Sequence, residues 1–382
     1  MNNLYKYLAP FLADTFGFQE IIDVTDGMGI LDDCSGYRGR ASRTDAAEPF
    51  MGSRMTSTDI RMEDVIGGTK DKILEAFRAR RSAFDPAFVM VSSSPVSSMI
   101  GTDMEDAANA ISRESGLPAA SVELGGHKYY DHGISETLLA LAKLLVKPAA
   151  AKISGGINLI GGNAIDWTTE NVCGVHNWAR ACGFRVVSQW GGRETAENLR
   201  QAARAEVNLV TAMSGLAAAR WLEREFGTPY IAAAPFGRRW SEMAAVALKN
   251  KKQPQLPPDQ AQGNVLIIGE QLMSNAIRAT LKLDYGIHGV DIGTFFTFDK
   301  ALASPGDRRV RGEDGLKAFM QNGGYRLIIA DPDLRVLGPE DCRWIDLPHG
   351  AVCYEFTGDG VPRLADEALN RWLDRVLPRE DW

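Results

Sequence analysis

Short runs of mostly apolar residues recur along the chain, and loops rich in glycine and small polar residues follow them. The runs lie at 88–91, 121–124, 156–161, 184–188, 207–210, 227–232, 264–269, 325–331 and 344–349. Near-continuous apolar strands are typical of parallel sheets that helices cover on both faces. The pattern therefore predicts buried parallel strands, with helices over 70–80, 135–145, 195–204 and 365–376.

The predicted strands fall into three groups, which indicate an α/β fold of three Rossmann-like domains with parallel sheets flanked by helices. We expect residues 1–150 to hold an N-terminal segment plus the first domain, 151–255 the second, and 256–382 the third with a C-terminal helix. Five glycines between 27 and 52 predict loops rather than long elements in the N-terminal segment. A single barrel is disfavoured because it needs eight evenly spaced strand–helix pairs.

Composition narrows the function classes. The 382 residues exceed what one hydrophobic core supports, and the net charge of -7 argues against a nucleic-acid partner. No apolar run approaches the roughly 20 residues that cross a bilayer. The first residues also lack the order of a signal peptide, so we expect a cytoplasmic protein without membrane contact. Five scattered cysteines and the absence of a Cys-x-x-Cys pair argue against a disulfide framework.

Three loops carry side chains suited to chemistry. The first, 125–133, contains His127, which could donate a proton or bind a metal, and Tyr129, which could donate to a developing anion. The alternative is an interface loop. The second contains Arg193 beside two glycines, a candidate for holding an acidic or sulfide-rich ligand, with a plain start of a helix as the alternative. The third contains His349 at the end of a strand, either a ligand, a proton donor or an ordinary loop residue. No catalytic residue is assigned beyond the candidates His127, Tyr129 and His349.

Nucleotide motifs are missing. The glycine-rich turns give no full Gly-x-Gly-x-x-Gly with an acidic residue about 20 positions later, and no Gly-x-x-x-x-Gly-Lys-Ser/Thr occurs. The chain is therefore not expected to hydrolyse a nucleotide itself.

An ordered set of short motifs resembles the nitrogenase component 1 family. In the first motif a buried strand leads through Ser94 to Ile-Gly-Thr-Asp at 100–103, where the family has a cluster-ligating Cys followed by Ile-Gly-Asp-Asp. The remaining motifs lie at 56–61 with Gly67 and Gly68, at 156–161, and at 208–231. Each motif is weak alone, and together they cover about residues 15–270.

The resemblance implies a subunit that pairs with a related component 1 chain and receives electrons from an ATP-dependent P-loop iron–sulfur reductase. An iron–sulfur cluster would lie at the subunit interface, shared with the partner or absent. Cys34 falls near an expected cluster ligand. Ser94 stands where the family usually has another cysteine, and Ser214 stands near the position at which the catalytic subunit would carry a cofactor-ligating cysteine. Ser94, Arg193 and Ser214 are the candidate cofactor-binding residues. Serine is a poor replacement for thiolate sulfur, so the chain resembles the non-catalytic, β-like subunit more than the cofactor-bearing one.

A second hypothesis is a protein of the same fold that has no catalytic turnover. The missing cysteines equally favour a scaffold or cofactor-assembly protein that binds a metallocluster precursor or a partner. A third hypothesis, a solute-binding or nucleotide-sugar-type α/β protein, is opposed by the missing signal peptide and by the third unit beyond the linker at 250–263.

Overall fold

The computed structural model describes residues 5–34, 54–256, 263–352 and 360–377. The first sheet contains four parallel strands in the order β2-β1-β3-β4. They are β1 (Met28–Asp32), β2 (Met55–Ser57), β3 (Val89–Ser93) and β4 (Ala119–Val122). Its helices are Asp14–Asp23, Met62–Gly67, Lys70–Arg81, Pro95–Ile100, Met104–Ser115 and Tyr130–Leu145.

The N-terminal segment differs from the prediction of loops. It supplies a ten-residue helix, Asp14–Asp23, and the fully buried strand β1 in the middle of the sheet. A side chain at Gly29 would overlap Met55 Sδ and press on Ile22. The end of the Met55 side chain therefore occupies the space beside Gly29 in β1. The prediction of loops from the number of glycines was wrong for this strand.

The second sheet is also parallel, with the order β6-β5-β7-β8. Its strands are β5 (Gly156–Ile160), β6 (Arg185–Trp190), β7 (Val207–Val210) and β8 (Tyr230–Ala232). Its helices are Thr169–Ala181, Ala196–Arg200, Leu216–Phe226 and Arg238–Asn250, with short 3-10 turns at Ala202–Arg204 and Met213–Gly215. The predicted helix over 195–204 is thus a short α-helix followed by a 3-10 turn.

The third sheet has five parallel strands in the order β11-β10-β9-β12-β13. They are β9 (Val265–Ile268), β10 (Val290–Thr294), β11 (Arg308–Arg309), β12 (Leu327–Ala330) and β13 (Arg343–Asp346). Its helices are Gln271–Tyr285, Gly312–Asn322 and Ala368–Val376, with 3-10 turns at Lys300–Leu302 and Pro332–Leu337. The sequence pattern missed β10 because polar residues interrupt its apolar residues. It missed β11 because that strand is a pair of exposed arginines.

The three sheets confirm the predicted fold class. Central strands such as β3, β5 and β9 are buried along their whole length, as expected when helices cover both faces. One hydrophobic cluster joins the domains, since Phe18, Ile160 and Leu266 belong to the same buried group. The exact domain boundaries stay a prediction. No helix in the described ranges is long and apolar enough to cross a membrane.

Two helices of the first domain touch backbone to backbone. A Cβ atom at Gly17 would overlap the carbonyl oxygen of Tyr130, and one at Gly133 would overlap the carbonyl oxygen of Asp14. Glycine at both positions therefore lets Asp14–Asp23 lie directly against Tyr130–Leu145. This contact fixes the start of the second helix, where several residues of the candidate site lie.

We expect Gly133→Ala to lower the free energy of unfolding by about 2 kcal/mol or more, because the new methyl group forces two packed helices apart. Gly315→Ala is the matched control. Its Cβ would meet nothing within 4 Å, so higher helix propensity should leave stability unchanged or raise it by up to about 1 kcal/mol. Denaturant unfolding of both variants checks this, and equal effects would contradict the close-contact argument.

Candidate functional site at the carboxyl edges of the sheets

Each sheet contains a topological switch point, where the chain leaves two adjacent strands in opposite directions. The pairs are β1 with β3, β5 with β7, and β9 with β12. Open α/β sheets bind ligands outside the carboxyl ends of such strands. The residues that follow these strands therefore form the candidate site.

Cys34 and Ser94 follow the two switch-point strands of the first sheet. Cys34 lies just beyond β1, is exposed, and pairs through its backbone with Ile60. Burial of part of the thiol and the Asp33 carboxylate raise the pKa of Cys34. The structure thus brings this predicted metal ligand to the sheet edge and leaves it open to solvent.

Ser94 has a local structural role. Its hydroxyl oxygen accepts hydrogen bonds from the Val96 and Ser97 amides (3.2 and 3.3 Å), while its own amide donates to Ser97 Oγ at 2.8 Å. This reciprocal cap begins the helix Pro95–Ile100 and buries the Ser94 side chain completely. The capping of this helix therefore explains why a serine stands at this position.

Two helices that follow strands at this edge carry exposed apolar side chains. Four residues on the two helices that follow Ile60 and Ser94 are the edge patch: Met62, Val65, Ile66 and Met99. They are 78, 42, 89 and 87% exposed and make up half of the large exposed hydrophobic residues in the described part of the chain. Exposed apolar groups gathered on one side of a domain mark a contact surface.

Ser214 and Arg193 follow strands of the second sheet. Ser214 is buried in the turn Met213–Gly215, and its hydroxyl donates to the carbonyl oxygen of Gly161 at 3.3 Å. Arg193 is exposed in the loop after β6. The adjacent Glu194 accepts from the Gln189 and Thr195 amides (2.6 and 2.8 Å), which anchors that loop. These two candidates therefore belong to a different sheet edge from Cys34 and Ser94.

His349 lies in a buried junction of all three domains. Its Nε2 atom is 3.3 Å from Asp166 Oδ1 and 3.4 Å from the hydroxyl of Tyr130, which itself donates to Asp166. The Ala351 amide donates to His349 Nδ1 at 3.2 Å, so the neutral ring carries its proton on Nε2, facing the carboxylate. The ring also stacks on Phe296 with centroids 5.1 Å apart.

Two more carboxyl groups lie in this junction. Glu270 accepts from the Met213 and Met273 amides, both at 2.7 Å, and Glu20 accepts from the Ala164 amide at 2.9 Å. Burial raises the pKa of Glu270 to about 8 and that of Glu20 to about 7. Sequence reasoning did not select Tyr130, Asp166 or either glutamate. Tyr130 lies in the loop 125–133 that was singled out, and Glu270 stands at a strand end before a helix, whereas Asp166 and Glu20 gave no signal.

His127 and Tyr129 lie at a third place, a cavity of about 260 Å³ between the first and third domains. Tyr129 packs edge-on against Phe296, with ring centroids 5.7 Å apart. Burial and the Tyr5 hydroxyl raise the pKa of Tyr129 well above its ordinary value, so this phenol remains protonated. The structure therefore separates the predicted site residues into two sheet edges, a buried junction and a cavity.

A complete metal site is not formed by the described residues. Among them, no group of three or more His, Cys, Asp or Glu side chains is arranged to hold a metal ion. Cys34 is one exposed thiol, and an iron–sulfur cluster requires several thiolates. This part of the chain fits a cluster only as the donor of a single ligand.

Three parallel sheets whose carboxyl edges meet at one junction define an α/β protein of three Rossmann-like domains. Residues 32–250 match the nitrogenase component 1 type oxidoreductase family, which is more than half of the chain. The chain therefore belongs to this family, as the ordered motifs predicted.

Individual relatives agree with this assignment. The nitrogenase iron-molybdenum cofactor biosynthesis protein NifE of Clostridium pasteurianum is 28% identical over 47% of this chain and 40% of its own length. A light-independent protochlorophyllide reductase chain of Bradyrhizobium sp. (strain ORS 278) is 27% identical over 48% of this chain and 37% of its own length. The matched part thus spans less than half of these relatives. A solved structure, nitrogenase Cp1 at pH 6.5, matches the fold with a TM-score of 0.75 at 13% identity, covering 100% of this chain and 97% of that one.

The junction predicts a pH effect on stability. The native pKa of Glu20 exceeds its ordinary value of 4.5, so the folded chain holds this proton more tightly than the unfolded chain. The stabilisation of the fold by this raised pKa is fully present below pH 4.5 and is lost as pH rises through about 7. Relative to Glu20→Gln, the wild-type chain should lose about 3 kcal/mol of stability between pH 5 and 8.

Unfolding midpoints measured across that pH range check this expectation. The exposed helical glutamate Glu223 offers a control, because Glu223→Gln should leave the pH profile of the wild type unchanged. Parallel profiles for wild type and Glu20→Gln would refute the argument.

Proposed function

We propose that this chain is a β-like subunit of a nitrogenase-like, ATP-dependent reductase core in the cytoplasm. It would pair with a related component 1 chain and hold part of an iron–sulfur cluster that receives electrons from a P-loop iron–sulfur reductase. The observation that carries the proposal is Cys34, an exposed thiol at the switch point of the first sheet, beside the edge patch. Family membership and the relatives named above support it.

The edge patch supports the pairing step. Ile66 and Met99, the two most exposed members, gain little from contacts within their own domain. Covering such side chains with a second chain removes apolar surface from water, at roughly 25 cal/mol per Å². A partner seated on the patch would also cover Cys34 and exclude water from a cluster held there.

The number of thiol ligands on each chain determines how this chain and its partner would share a cluster. The described part of this chain offers one thiol at the edge, and Ser94 is committed to a helix cap. The partner would therefore supply most of the sulfur ligands, and Cys34 would contribute a single thiolate. His127, Tyr129, Arg193, Ser214 and His349 are not assigned to the cluster, because they lie at other places in the fold.

A second function is favoured by a specific observation. The three-domain junction is filled by Tyr130, Asp166, Phe296 and His349, each no more than about 3% exposed. A chain with a filled interior and one edge thiol suits a scaffold that holds a metallocluster precursor or a partner without turnover. The relative named as a cofactor biosynthesis protein supports this alternative.

Pairing is testable through the edge patch. We expect Ile66→Asp to weaken association with the related chain at least tenfold, because a charge would be buried in an apolar interface. Val246→Asp changes an exposed aliphatic residue on another helix and should leave association unchanged. Analytical ultracentrifugation of co-expressed chains gives the measurement, and equal association of both variants would exclude the patch.

Cluster binding is testable through cysteine variants. If Cys34 is a ligand, Cys34→Ser should lower the iron and acid-labile sulfide of the purified complex and change its visible absorption. Cys173→Ser, also an exposed thiol, should leave all three unchanged. A wild-type complex that is colourless and free of iron would count against the cluster. Reduction by the iron–sulfur protein without any product would favour the scaffold.

A further inference from the structure

The cavity between the first and third domains has the features of a small-molecule site. It holds about 260 Å³ and lies beyond the carboxyl ends of β4, β10 and β11, the edge at which α/β sheets bind ligands. The cleft forms where the N-terminal segment crosses from one domain to the other. Its principal lining residues are Tyr5, Phe11, His127, Lys128, Tyr129 and Phe295.

Aromatic rings form the apolar wall of the cavity. Phe11 packs against Tyr5 and Tyr129 with centroids 5.7 Å apart in each pair, and against Phe295 at 5.0 Å. Phe11 and Phe295 are buried, so these rings are held in place by the core. Rigid aromatic surfaces of this kind favour a flat, apolar ligand body.

The acidic residue beside the cavity is already satisfied. Both carboxylate oxygens of Glu313 accept hydrogen bonds from the amides of Lys6, Tyr7 and Leu8, at 2.9 to 3.2 Å. Glu313 therefore ties the N-terminal segment to the third domain and is occupied as a hydrogen-bond acceptor.

Lys128 and His127 are the basic side chains in the cavity lining. Lys128 is exposed, and its Nζ atom uses one hydrogen bond, to His132 Nε2 at 2.8 Å, so further N–H groups remain for a ligand. His127 is exposed beside it. A cation next to an apolar cleft selects a ligand with an anionic group on an apolar body.

We propose that this cavity binds a small single-ring carboxylic acid as its carboxylate. The ring would lie among Phe11, Tyr129 and Phe295, and the carboxylate would face Lys128 and His127. A cavity of about 260 Å³ has room for a ligand with one aromatic ring and one small polar group. The inference does not depend on a cluster at Cys34, so the two can fail separately.

Three probes of equal size and different charge test the proposal: benzoate, benzamide and benzamidine. Each has one aromatic ring and one small polar group, so the three differ mainly in the charge of that group. In ligand-observed NMR titrations of the full chain, we expect benzoate to bind about tenfold tighter than benzamide, as one charge-assisted hydrogen bond provides. Benzamidine should bind most weakly. Failure of all three to bind, or tightest binding by benzamidine, overturns the proposal.

Variants assign the binding to this cavity. Lys128→Met should reduce benzoate affinity to that of benzamide and leave benzamide binding unchanged. Lys249→Met, at an exposed lysine on Arg238–Asn250, should change neither. Leu8→Phe, which adds volume to the cavity lining, should weaken both ligands together. Equal responses of Lys128→Met and Lys249→Met would place the binding elsewhere and overturn the proposal. If Leu8→Phe does not fold, the comparison of the three probes and of the two lysine variants still tests the proposal.

Discussion

The carboxylate of Asp166 is the interaction on which the arrangement of domains depends. It belongs to the second domain, accepts a hydrogen bond from Tyr130 of the first, and faces His349 Nε2 of the third at 3.3 Å. All three side chains are almost fully buried, so none can exchange its partner for water. Loss of one member would leave the others buried and unpaired, which costs several kcal/mol in comparable buried networks. The junction therefore fixes the three domains relative to one another.

This constraint divides the carboxyl edges into two kinds of surface. At the junction, side chains fill the space between the sheets, and the carboxyl groups of Glu20 and Glu270 are protonated more readily than usual because they are buried. At the edge of the first sheet, Cys34 and the edge patch remain open. A function that requires a partner therefore fits the first-sheet edge, whereas the junction serves stability and orientation.

The two serines at expected cysteine positions show why a motif does not define a site. Ser94 caps a helix, and Ser214 bonds the carbonyl oxygen of Gly161 inside a tight turn. Both roles suit a hydroxyl group, and both leave the side chain buried. At both positions the strand–loop–helix geometry is kept by hydrogen bonds that serine forms well.

The sequence by itself determined the α/β class, the three groups of strands, the family, and the placement of Ser94 after a buried strand. These follow from local patterns: apolar runs, capping residues and motif order. Strand β1 was misread because Gly29 lies inside a packed strand, beside Met55 and Ile22, and β11 was missed because two exposed arginines carry no strand pattern. Only the tertiary structure decided that Tyr130, Asp166 and His349 form one buried network, although 36 and 183 positions separate them along the chain. Such contacts depend on how three sheets meet in space, and no periodicity in the chain records that.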